Sequence, residues 1–153
     1  VYKRQPHDGS AADALSAYFS SLTGRTVGEP KSVDINQRAV NLLADAPGVA
    51  WATFSTLCEE PRGSADYVEM AREYHTVLIE QIPLLDRDKE DAARRFINLV
   101  DEFYDRNVKL IATADQPPET LYDGLRLRFE FDRTMSRLQE MRTQEYLKAE
   151  HRP

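Results

Sequence analysis

Arg133 and Arg137 stand four residues apart, so any helix that carries them stacks both on one face. Two guanidiniums on a rigid element can clamp a phosphate or stabilise the charge of a phosphoryl group in transfer. The same spacing permits an ion pair within the helix, to Glu130 or Glu140, and spacing alone does not separate the two roles. A second candidate is Thr113, which with Ala114 and Asp115 follows the apolar run Val108–Ala112. Ligands of open α/β sheets gather outside the carboxyl ends of strands, so a hydroxyl there could orient a water or touch a phosphate. A plain strand-end cap is the competing reading.

Other chemistry-bearing residues do not assemble. The stretch Asp86-Arg87-Asp88-Lys89-Glu90-Asp91 offers four carboxylates, but a calcium loop needs Gly at its sixth position and Glu at its twelfth, where Asp91 and Ile97 stand. It reads as a solvated loop that caps the next helix. His7, His75 and His151 are too scattered for a metal site, and none is expected. Cys58 lacks a nearby His and reads as a small buried side chain. The sequence contains no G-x-x-x-x-G-K-[ST], G-x-G-x-x-G or G-x-S-x-G. The chain by itself therefore has no expected phosphate cradle and no visible catalytic engine.

The elements that must position the candidates follow from hydrophobic periodicity. Ala14, Leu15, Tyr18, Phe19 and Leu22 mark an amphipathic helix that Gly24 should stop. Lys31–Ile35 and Arg38–Leu43, separated by Asn36-Gln37, predict a small β-hairpin, while Val49–Phe54 fits either a strand or a helix start. Ser64 is placed as the N-cap of a helix reaching about Tyr74, and a buried strand follows over Thr76–Ile79. Ala92 to Tyr104 carries a wide apolar face, Val108–Ala112 is the next strand, and Pro117-Pro118-Glu119 opens a short helix. Phe129-Glu130-Phe131 reads as strand-like, Asp132 as an N-cap, and Arg133 to about Lys148 as the closing helix. Strands alternating with helices predict an α/β class. The expected form is a short parallel sheet with flanking helices, preceded by a helix and a hairpin and closed by a C-terminal helix.

The 153 residues carry 20 Lys+Arg against 26 Asp+Glu, a net charge of −6, which argues against a general nucleic-acid binder. The longest mainly apolar stretch, Ala46–Leu57, is too short for a bilayer span, which needs about 20 residues. A single cysteine fits a reducing, cytoplasmic setting. Val1-Tyr2-Lys3-Arg4-Gln5 lacks Met and an apolar core, and residues 1–5 read as a non-native leader on a chain cut from something longer. Residues 6–48 are expected to form a loosely packed helix-plus-hairpin region, and 49–153 the α/β domain.

Residues Leu57-Cys58-Glu59-Glu60-Pro61 through Ala65-Asp66-Tyr67, His75–Ile79, Ile82-Pro83, Ala93–Asp105, Val108–Ile111 and Phe129–Met141 together resemble ZapE-type ATPases, the AFG-one-like family of AAA+ P-loop proteins. The likeness runs over about residues 11–151. It implies the C-terminal region of a cytoplasmic ATPase with a role in bacterial cell division, whose P-loop and metal-binding strand lie upstream. ATP and magnesium would then belong to the full-length protein, with none bound by this piece alone. Implied partners are the rest of the ATPase, neighbouring subunits and the tubulin-like division-ring protein. The order from Ile79-Glu80-Gln81 to Thr113 resembles the second half of an AAA+ core, with one acid where two adjacent ones are usual. Within this resemblance Arg133 and Arg137 belong to the Phe129–Leu138 block. Their role as nucleotide-sensing arginines is a hypothesis, and the alternative is an interaction module that takes no part in hydrolysis.

Overall fold

A computed structural model describes residues 2–4, 10–25 and 30–152, with the backbone alone for 2–4 and 10–12. The elements are β1 (Tyr2–Arg4), α1 (Ser10–Thr23), β2 (Lys31–Ile35), β3 (Arg38–Leu42), β4 (Ala44–Ala46) and β5 (Val49–Thr53), then a π-helical turn over Ser55–Glu59. They continue with α2 (Ser64–Glu73), β6 (Thr76–Ile82), β7 (Leu85–Asp86), a 3₁₀ turn over Arg87–Lys89, α3 (Glu90–Asp105) and β8 (Lys109–Ala114). The chain closes with α4 (Pro118–Leu121), β9 (Tyr122–Asp123), α5 (Arg128–Glu140) and α6 (Gln144–Lys148).

The class is α/β. Five strands form the main sheet in the order β1-β8-β6-β5-β4. β5, β6, β8 and β1 run parallel, and β4 is an antiparallel edge. Two crossovers, through α2 and α3, lie on one face. There Ala50, Ala52, Val77, Ile79, Leu110 and Ala112 meet Tyr67, Met70, Phe96, Val100 and Phe103 in the principal core. The opposite face holds a much smaller cluster, in which Leu15 and Phe19 of α1 cover Trp51, Leu78 and Ile111. Strand alternation assigns each residue to its face: Val77 and Ile79 go to one side and Leu78 to the other.

Local chemistry explains the boundaries. Asn36 and Gln37 both adopt positive φ, 53° and 68°, as the type I′ hairpin turn requires, and Asp34 Oδ1 accepts the Gln37 N–H at 2.7 Å. Gly24 ends α1 at φ 69°, its N–H on Ser20 O. Asn107, at φ 55°, ends α3 in a Schellman arrangement, with Val108 N–H on Phe103 O and Asn107 N–H on Tyr104 O.

Four expectations are corrected. Gly63, not Ser64, is the N-cap of α2, because the Asp66 carboxylate reaches back to the Gly63 N–H at 2.9 Å. The hairpin is not loosely packed: Ile35, Val40 and Leu42 are buried in the principal core. Phe129-Glu130-Phe131 is helical, inside α5, and Asp132 lies within the helix and caps nothing. Leu127, Phe131, Thr134, Leu138 and Met141 are all buried at helical spacing, and this face overrides the strand preference of two aromatics. Finally, the closing helix is broken after Glu140, and the Thr143 hydroxyl caps α6 by accepting the Tyr146 N–H. Of the residues set aside as a leader, Val1 and Gln5 lie outside the described residues, while Tyr2–Arg4 runs parallel to β8.

Candidate functional site

α3 and α5 pack side by side, and their shared surface decides where the two arginines go. Arg133 and Arg137 both turn to Asp101 on α3, Arg133 at 3.3 Å and Arg137 in closer contact. This is an ion pair between helices, not the intrahelical pair to Glu130 or Glu140. The Arg133 side chain is 58% exposed, whereas that of Arg137 is 24% exposed. Arg137 also lies over the Tyr104 ring, 5.0 Å from its centroid. Tyr104 stacks on Tyr146 with the planes 10° apart, and the Lys109 ammonium lies over the Tyr146 ring, 4.8 Å from its centroid. Contacts of Arg137 with Tyr104, Tyr104 with Tyr146 and Tyr146 with Lys109 thus link α5, α3, α6 and β8.

Thr113 stands at the carboxyl end of β8 as expected, but it is 1% exposed. Its hydroxyl accepts the Gln81 N–H at 3.1 Å, across the irregularity that interrupts the β6–β8 register between Ile79 and Ile82. Gln81 itself adopts positive φ, 63°, which marks the bulge. The hydroxyl thus accepts one bond from the backbone of the neighbouring strand. Glu80, opposite Thr53 in the β5–β6 register, is half-buried, and that burial pushes its carboxyl above the usual range.

The remaining candidates have structural partners. Asp86 caps the 3₁₀ turn by accepting the Asp88 N–H, and Lys89 pairs with Glu59. Glu90 accepts the Tyr122 hydroxyl at 2.8 Å and the Leu125 N–H at 2.6 Å, tying α3 to the loop before α5. No group of three metal-ligating side chains occurs among the described residues. Burial pushes the Cys58 thiol up to about 12, the wrong direction for a nucleophile. His7 lies outside the described residues. Asp101, Tyr104 and Tyr146 carried no local sign of their role, since their partners are more than 30 residues away in sequence. Helical phasing of α3 against α5 was the only signal that could have paired Asp101 with the arginines.

The profile of the AFG1-like ATPase family matches residues 2–150. The chain belongs to this family. It is 41% identical over 145 residues to the cell division protein ZapE of Escherichia coli strain K12, a match covering 95% of this chain and 38% of that protein. It is also 34% identical to lactation elevated protein 1 homolog B of Danio rerio, over 89% of this chain and 34% of that protein. The AFG1-like chain thus spans little more than a third of the length of these relatives. No solved structure matches it significantly. Among the described residues, no helix is long and apolar enough to cross a membrane.

Proposed function

We propose that this chain is the C-terminal region of a ZapE-type ATPase, acting in the nucleotide response and assembly of a longer protein and binding no ATP by itself. ATP and magnesium are held by the remainder of that protein. The whole hydrolyses ATP in the cytoplasm, assembles with neighbouring subunits and serves cell division, with the tubulin-like division-ring protein as a partner. The observation that carries this reading is the 41% identity to a cell division protein over nearly all of this chain but only 38% of the relative. The absence of any phosphate loop from the 153 residues agrees with a supporting role. Of the two arginines, Arg133 is the one a phosphate could recruit, being largely exposed and held at 3.3 Å, whereas Arg137 is fixed from two sides.

A second reading, an interaction module with no part in hydrolysis, draws on Phe129, which is 86% exposed on α5. An aromatic ring left in water is a ready anchor for a partner. A chimera decides between them: Escherichia coli ZapE with its matching region replaced by residues 2–150 of this chain. Arg133→Ala is expected to lower its ATPase rate at least tenfold with nucleotide binding retained. Unchanged rates in both Arg133→Ala and Arg137→Ala leave only the interaction module. Tight binding of magnesium–ATP to this chain alone in calorimetry would overturn both readings.

A further inference from the structure

The solvent-facing side of α5 carries Phe129, Arg133, Ser136 and Glu140, all exposed and three or four residues apart, while Phe131, Thr134 and Leu138 turn inward. Phe129 is more exposed than any other large apolar side chain among the described residues. The two ends of this face differ in charge. Arg126, just before the helix, and Arg133 make the first end basic; Glu140, at the last helical position, and Glu145, beyond the break, make the other acidic. Asp132, on the border of the face, already pairs with Arg128 at 3.8 Å. An anion at the end of a helix meets the negative pole of its dipole, so Glu140 gains from a cation brought opposite it. The Tyr104 hydroxyl holds Glu140 in place, donating to its Oε2 at 2.5 Å. Beyond Glu140 opens a cavity of about 590 Å³, lined by Tyr104 and Tyr146 and by three acids, Asp105, Glu140 and Glu145, against one cation, Arg152.

A face with a basic, aromatic end and an acidic, hollow end complements itself when turned end for end. We propose that two copies of this chain pair through α5, antiparallel about a two-fold axis at Ser136, with Arg133 of each copy opposite Glu140 of the other and each Phe129 entering the other's cavity. The spacing fits. At about 1.5 Å per residue, Arg133 and Glu140 stand roughly 4.5 and 6 Å to either side of Ser136, and Phe129 lies about 10 Å away, which carries it past Glu140 of the other copy to the level of the cavity. Ser136 is small and exposed at the crossing point, so the helices can approach closely there. The contact is isologous, and each interaction occurs twice. Parallel pairing would set Arg133 on Arg133 and Glu140 on Glu140, and like charges disfavour it. The pairing names a partner for Phe129 and rests on the interaction-module reading in that respect alone. It also covers Arg133, so the pair and a phosphate-bound Arg133 are alternative states.

The test is sedimentation velocity of the full 153-residue chain from about 1 to 300 μM at about 50 mM salt. A species of twice the 17.5 kDa chain mass should grow in with concentration. Arg133→Glu and Glu140→Arg should each weaken it about tenfold or more, since each sets like charges opposite one another at both contacts. The double variant should recover it, and so should an equimolar mixture of the two single variants, because both restore opposite charges on each side of the axis. Phe129→Ser changes a side chain that stands in water in the single copy, and should abolish the dimer while circular dichroism stays that of the wild type. If Glu140→Arg fails to fold, Phe129→Ser decides. A chain monomeric throughout, a dimer unmoved by Phe129→Ser, or charge variants that weaken it without recovery in the mixture would each overturn the pairing. A monomer would give the face to another partner, and the readings of hydrolysis and of an interaction module would still stand or fall by the chimera.

Discussion

Replacing Arg137 by Ala removes two contacts at once. The first is the ion pair to Asp101, in which both side chains are about three-quarters covered; solvent screening limits it to about 1 kcal/mol. The second is the guanidinium over Tyr104 at 5.0 Å, which contributes about 0.5–1 kcal/mol in a partly covered position. Together they predict a loss of about 1.5 kcal/mol for Arg137→Ala. Arg133→Ala removes only a largely exposed pair and leaves Asp101 its better partner, so the expected loss is below about 0.5 kcal/mol. In urea unfolding with a slope of about 2 kcal/mol/M, the midpoint should fall by about 0.7 M for Arg137→Ala and by under 0.25 M for Arg133→Ala. A double-mutant cycle with Asp101→Asn isolates the pair from the ring contact. Equal midpoint shifts for the two arginines, or wild-type stability in Arg137→Ala, would refute the assignment of Arg137 to structure.

Gly48→Ala should cost about 2 kcal/mol or more, since a side chain at φ 77° is strained and its Cβ would strike the His75 ring. Scanning calorimetry should then show melting roughly 4–8 °C lower. Glu90→Gln should alter the acid limb of stability. Some desolvation raises the Glu90 carboxyl, but the Leu125 N–H, the Tyr122 hydroxyl and the Arg126 N–H together hold it below its ordinary range. A depressed carboxylate stabilises above its unfolded value, about 4.3, and that contribution is lost as pH falls through the lower folded value. Thermal melting between pH 6 and 3 should thus be less pH-dependent in the variant; an unchanged slope would contradict the role of Glu90 as anchor of the Leu125 loop.

What could be read from the sequence was local. The hairpin was legible because two β-branched runs flank residues tolerant of positive φ, and α3 because its apolar positions recur with the period of a helix. The parallel order followed from alternation of strands and helices. The error at Phe129–Phe131 arose where a three-residue aromatic motif was weighed above a five-position buried face running from Leu127 to Met141. The candidate site was legible only as residue types. That Arg133 and Arg137 lie on one face was correct, but their partner, Asp101, depends on the packing of α5 on α3. Likewise, Thr113 was placed rightly at a strand end, while the bulge whose N–H its hydroxyl accepts involves a residue on another strand.

The two faces of the main sheet are held at unequal cost. α2 and α3 seal one face with a continuous apolar core, whereas among the described residues the other is covered by α1 through Leu15, Phe19 and their few contacts. Lifting one helix therefore uncovers Trp51, Leu78 and Ile111 without disturbing the crossovers, and the molecule contains a subunit of stability smaller than itself. Trp51, whose indole N–H is buried with no hydrogen-bond partner among the described residues, is the polar group that such an opening would release to water.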